Sequence, residues 1–195
     1  MAKPLPVKGI RPKQRIAPNA RRIFAVRIAE VFSYEWAIAD PANVKELHDM
    51  RIACKRLRYL IEIFSVGFKA DLSEYLEQVK RLQDILGDIH DCDVQVPMLE
   101  EHLRWLDQQE SHAIEALVTR DLPNGRPANV EEAYRSFRDS LDATRRADER
   151  VGIHQLLGRR RRERDELYEE FLREWRRLKR KRFRARLETA LGLPE

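Results

Sequence analysis

An all-α fold, built as an antiparallel helical bundle of about five to six long helices, is the class this sequence predicts. Three observations carry it. Only 7 of 195 residues are glycine, apolar residues recur every three to four positions, and the segments that do so are joined by short stretches holding Pro or Gly. Charged residues make up 36% and hydrophobic ones 43%, a balance that fits a helical protein better than a wholly disordered chain or a Gly-rich sheet fold. At 195 residues the expectation is one domain with one sizeable core.

The elements follow in order. Met1 to Pro18 holds four prolines and five Lys/Arg without an acid, and reads as a basic extended arm (residues 1–18) preceding a helical domain over 19–191. From Asn19 the apolar positions Ile23, Val26, Ile28 and Val31 predict a helix that leads to Trp36 and stops before Pro41. A second helix is expected from Val44 to Phe64, ended near Gly67, and a third from about Leu72 to Gln95. Pro97 marks a kink or a restart, and a fourth helix covers Met98 to Thr119. After the turn-rich stretch Leu122 to Ala128, two more run from about Val130 to Arg150 and from Ile153 to Leu191, with a break at Gly158. Trp36, Trp105 and Trp175 fall where helical cores want them.

Several classes of function drop out. Cys54 and Cys92 are too few for a disulfide scaffold, and no N-terminal apolar run resembles a secretory signal, so a reducing cytoplasm is expected. No stretch reaches the roughly 18 to 20 apolar residues of a membrane span. Gly-rich phosphate loops, nucleophile elbows and paired catalytic carboxylates are absent from the sequence, so the expectation is a non-enzyme without cofactor or metal.

The net charge of +5 hides an uneven distribution. Residues 1–83 carry 16 Lys/Arg against 9 Asp/Glu, residues 84–150 carry 8 against 16, and residues 151–195 carry 14 against 8. Within the first block His48, Arg51, Lys55 and Arg58 are spaced 3, 4 and 3, which places them in an arc of roughly 80° on the second helix. Met50, Ala53, Leu57, Leu60, Ile61 and Phe64 supply the opposite, core-facing side, so the cations are free to meet an anion. Arg56 and Tyr59 flank the stripe, and Glu62 is placed to tether Arg58 at i,i+4. On the third helix Leu82, Ile85, Leu86 and Ile89 form the core face, while Lys80, Gln83, Asp84, Gly87 and Asp91 fall opposite. Glycine inside a helix costs roughly 0.5–1 kcal/mol relative to alanine, so Gly87 signals a close approach by a helix or a ligand. Asp91 and Asp93 are candidates to hold arginines of the second helix, or else surface acids.

These residues resemble a known family. The run Glu46 to Leu60, with His48, Arg51, Lys55, Arg56, Leu57 and Arg58, and the run Val79 to Val94, with Lys80, Leu82, Gln83, Leu86, Gly87, Asp91 and Asp93, look like the paired motifs of the CHAD family, the conserved histidine α-helical domain. The resemblance covers about residues 44–96. It implies an all-helical fold that binds inorganic polyphosphate in a basic groove or channel, without catalysis, and associates with polyphosphate granules. The residues it assigns to that surface are His48, Arg51, Lys55, Arg56, Arg58 and Lys80. The motif pair occurs once here, where family domains carry two helical halves. The missing half is expected to come from the C-terminal helices or from a homodimer across the groove. His90 stands where the family often has an arginine, leaving that cation absent or pH-dependent.

A second basic face, Arg173, Arg176, Arg177, Arg180 and Arg184, spans about 100° of the last helix opposite Leu167, Phe171, Trp175 and Leu178. It is a candidate secondary anion site and the basis of the alternative reading, binding of RNA or DNA. A remoter alternative, a metal-dependent phosphohydrolase, rests on the pairs His48-Asp49 and His90-Asp91.

Overall fold

The structure, a computed structural model, describes residues 3–13, 15–120, 135, 138–139 and 147–193. It is all-helical: among the described residues there are five α-helices and no strand. They are α1 (Ile16–Phe32), α2 (Val44–Phe64), α3 (Ser73–Arg120), α4 (Ala147–Arg180) and α5 (Phe183–Leu191), with a 3-10 turn at Ser65–Gly67. None is long and apolar enough to cross a membrane. The helix expected over Val130 to Arg150 lies mostly outside the described residues.

Two compact units divide the chain, one made of residues 1–93 with 163–195 and the other of residues 94–162. In the first, one side of each helix supplies the core: Phe24 and Ile28 from α1, Met50 and Leu57 from α2, Leu86 and Ile89 from α3, Phe171 and Trp175 from α4, Leu187 from α5. Neighbouring helices run antiparallel, as the residues that meet show. Glu30 meets Arg56 while Phe24 meets Phe64 between α1 and α2, and His48 meets His90 while Arg58 meets Gln83 between α2 and α3. In the second unit Leu106 and Leu157 are buried, and Arg150 pairs with both Asp107 and Glu110.

Residues 3–13 lack regular structure yet are tied to α1. Arg27 donates to the Leu5 carbonyl at 3.0 Å, and Asn19 and Arg11 exchange two hydrogen bonds. α1 stops at Phe32, short of the expected Trp36, because the Ser33 hydroxyl turns back to the Glu30 carbonyl and residues 33–42 form successive turns. There Ala37 and Ile38 fill the core, and Trp36 is left 77% exposed. The expectation that all three tryptophans are core residues therefore holds for Trp175 alone, since Trp105 is also exposed, at 44%.

α2 has the expected limits. α3 does not: it continues through Pro97, so the two helices expected on either side of that residue are one. Val94, Pro97 and Met98 are all exposed, and a proline on a solvated face leaves its orphaned carbonyl within reach of water. Gly158 likewise does not interrupt α4. The break comes at Arg182, the sole described non-glycine residue with positive φ (49°), which separates α4 from α5. A side chain in the left-handed region costs roughly 1–2 kcal/mol. The gain that offsets it is the direction of α5, which buries Phe183, Leu187 and Leu191.

Candidate anion-binding site

α2 and α3 present matching rows. On α2 the row is His48, Arg51, Lys55, Arg58; on α3 it is Lys80, Gln83, Gly87, His90, with the same 3, 4, 3 spacing. Because the helices are antiparallel, His48 lies beside His90, Arg51 beside Gly87, and Arg58 beside Gln83 and the turn that begins at Lys80. The two rows make one strip, about 15 Å long at 1.5 Å per residue.

At one end the two imidazoles face each other, Nδ1 to Nδ1 at 3.3 Å and ring centroids 4.4 Å apart. Burial, then the facing His90, then Arg51 hold the His48 pKa below its ordinary value, against the opposing pull of Asp49. Asp49 is itself buried and accepts from Lys45 Nζ at 2.7 Å. The two His-Asp pairs of the sequence are thereby separated: the imidazoles meet, Asp49 goes to Lys45, and Asp91 is exposed.

Arg51 occupies the middle. Its guanidinium passes over Gly87, where a Cβ would lie 3.5 Å from Nε. That Nε is buried and has no hydrogen-bond partner among the described residues. Buried donors are paired in the great majority of native structures, so an orphaned one beside a glycine marks a place where an acceptor is missing. Gly87 thus serves the close approach that its sequence position signalled.

At the far end, Arg58 donates to Glu62 at 2.9 Å, the tether expected at i,i+4, and to Gln83 Oε1 at 3.4 Å. The Glu62 hydrogen bond raises the Arg58 pKa further. Lys55 and Arg58 also lie over the Tyr59 ring, 5.9 and 5.4 Å from its centroid. Lys55 and Lys80 are exposed and make no ion pair among the described residues.

Arg56 is turned elsewhere. Its Nη1 lies 2.6 Å from Glu30 Oε1, and Arg27 takes the other oxygen of that carboxylate at 2.5 Å. Glu30 is only 2% exposed, so this triad ties α1 to α2 beneath the surface and does not join the strip. The acids proposed to steady α2 arginines do not do so: Asp93 pairs with Arg164 of α4 at 3.0 Å.

The C-terminal arginines form a different surface. Arg173, Arg176, Arg177 and Arg180 are exposed on α4, opposite Phe171, Trp175 and Leu178 as expected. Arg184 lies beyond the left-handed turn at Arg182, on α5, where it bonds Glu188 at 2.9 Å and leaves the row. What the residues alone left open was the role of His90. The signal was present, since the α3 spacing mirrors that of α2.

A family model described as the CHAD domain matches residues 2–100, which take in α1, α2 and the part of α3 that carries the strip. No curated protein and no solved structure matches the chain.

Proposed function

The chain belongs to the CHAD domain family, and from that premise we propose that it binds inorganic polyphosphate, without turning it over, along the strip shared by α2 and α3. The observation that carries this reading is Arg51, whose buried Nε lacks an acceptor, while Lys55 and Lys80 stand by without ion pairs, among the described residues. A chain of phosphates supplies acceptors and charge together. Arginine takes phosphate oxygens through its planar fork and lysine acts as a point charge, and a repeating ligand needs no sequence readout.

In this reading Arg51, Lys55, Arg58 and Lys80 contact phosphates, Gln83 orients Arg58, and His48, beside His90, forms a proton-dependent end. Arg56 acts through the fold. The cytoplasm and polyphosphate granules are the proposed locations, and a homodimer is the proposed source of a longer track.

Calorimetry with long-chain polyphosphate at two salt concentrations tests the reading. Wild type is expected to bind with an affinity that falls steeply with salt, as for other polyanions. Changing Arg51, Lys55 and Arg58 together to alanine is expected to cost at least about a hundredfold, since each charge-assisted hydrogen bond is worth about 1.5–3 kcal/mol. Unchanged binding by that variant would remove the strip as the site. Release of phosphate on incubation would remove the non-catalytic reading.

A further inference from the structure

Trp36 is the one large apolar side chain between residues 17 and 43 that is exposed among the described residues, at 77%. Leaving such a ring in water forgoes the gain of burying it. The backbone beneath it is fixed, because residues 33–43 are pinned to α4 at three points. Arg164 donates to the Pro41 carbonyl at 2.5 Å, Tyr168 Oη to the Ile38 carbonyl at 2.8 Å, and Lys179 pairs with Glu35. The ring is thus held outward by a segment whose neighbouring residues, Ala37 and Ile38, are buried.

The pinned segment also sets which part of α4 it runs along. Tyr168 and Lys179 mark the side of α4 that carries it. Arg176, Arg180 and Arg173 follow about 60° to 140° further round the helix. All three are exposed and make no ion pair among the described residues. From Arg173 to Arg182 the sequence has seven Lys/Arg and one acid, Glu174.

We propose that Trp36 and the Arg173, Arg176, Arg180 row form a second binding surface, for single-stranded nucleic acid, separate from the α2–α3 strip. The ring stacks on an unpaired base and the arginines take the phosphates that flank it. Other occupants fit less well. A second copy of this surface in a two-fold dimer would set the arginine row against itself. A bilayer asks for a continuous apolar helix face, whereas the exposed apolar residues that follow Trp36 in its segment, Ala39, Pro41 and Ala42, are small and interrupted by Asp40. Polyphosphate has no use for the ring, and duplex DNA keeps its base faces stacked away.

The full-length chain is titrated, by fluorescence anisotropy, into a labelled oligothymidylate of about 15 nucleotides, into the matching duplex and into long-chain polyphosphate. Anionic phosphatidylserine vesicles form a fourth arm. Trp36→Ala is expected to weaken oligothymidylate binding about tenfold, with Trp36→Phe recovering most of it, because one stacked base is worth about 1–3 kcal/mol. Arg176→Ala with Arg180→Ala is expected to weaken it too and to lower the salt slope by about 1.4, some 0.7 per phosphate contact on a single strand. Polyphosphate binding is expected to stay within about twofold in the Trp36 variants. Equal wild-type affinity for single strand and duplex, with no loss in Trp36→Ala, would overturn the proposal in favour of plain charge attraction. Loss of vesicle binding in Trp36→Ala without loss of oligothymidylate binding would overturn it in favour of a lipid surface.

Discussion

The α2–α3 strip and the α4 arginine row are both basic faces of amphipathic helices, and they differ in what stands opposite them. The strip faces a second helix: His48 is matched by His90, Arg51 lies across Gly87, and the Nε of Arg51 is withdrawn from water without a partner. The α4 row faces solvent, with Arg177 in a surface pair with Glu174 and Arg173, Arg176 and Arg180 exposed. Charge in water is screened and already hydrated, whereas charge held in a partly dry cleft gains more from an arriving anion. The lesson is that the neighbour of a basic helix, more than its charge count, sets what an arriving anion would gain there.

The sharpest way to break that comparison is to remove one acid from each region. Glu30, buried between Arg27 and Arg56, is expected to cost about 3 kcal/mol or more as Glu30→Gln, since two partly buried cations lose the carboxylate charge they share. Glu174→Gln, which loses surface pairs to Arg81 and Arg177, is expected to cost less than about 1 kcal/mol. Urea unfolding of both measures the contrast, and equal costs would dissolve it.

Gly87→Ala sharpens it at the strip. Alanine is the better helix former by roughly 0.5–1 kcal/mol, and its Cβ would make an ordinary contact with Arg51, so the melting temperature is expected to rise. The same Cβ covers the orphaned Nε, so polyphosphate affinity is expected to fall severalfold. A variant both more stable and equally good at binding would show that nothing docks there.

Proton dependence comes next. His48 is held below its ordinary value in the folded chain by burial first and then by His90 and Arg51. As pH falls below about 6.5 the unfolded chain takes up this proton more readily than the folded one, so the free protein loses stability on acidification. A bound polyanion reverses the sign, because it favours the charged ring. Polyphosphate affinity is then expected to rise about three- to tenfold between pH 7.5 and 5.5, with proton uptake seen by calorimetry in two buffers. His48→Gln is expected to flatten both trends, while oligothymidylate binding at α4 follows neither.

The smallest effect is expected at Cys54. Burial pushes its thiol up to about 12, so the thiolate that reacts is scarce. Labelling by a thiol reagent is expected only on unfolding, with or without polyphosphate. Rapid labelling of the folded protein would mean that the α2 core opens.

Much of this was legible in the residues. The limits of α2, its core face, the Glu62 tether and the Gly87 approach all follow from spacing, because each depends on contacts within one helix or on a missing side chain. What failed depends on neighbours. Pro97 and Gly158 look like breaks locally, yet the helices continue past them; Arg182 does not look like one, yet packing of Phe183 and Leu187 turns the chain there. Arg56 reads as one of a basic cluster, and only the fold sets it against Glu30 of another helix. Trp36 reads as core because its size says so, while turns after α1 spend the core position on Ile38.

The strip is not alike at its two ends. Arg58 and Lys80 stand at one, where charge is permanent, and His48 faces His90 at the other, where charge depends on the proton. In the proposed reading, acidity would alter how far along the strip a phosphate chain is gripped, as well as how firmly. The paired helices would then act as a ruler whose last graduations fade in as the surroundings turn acid, and the number of phosphates it spans would change with them.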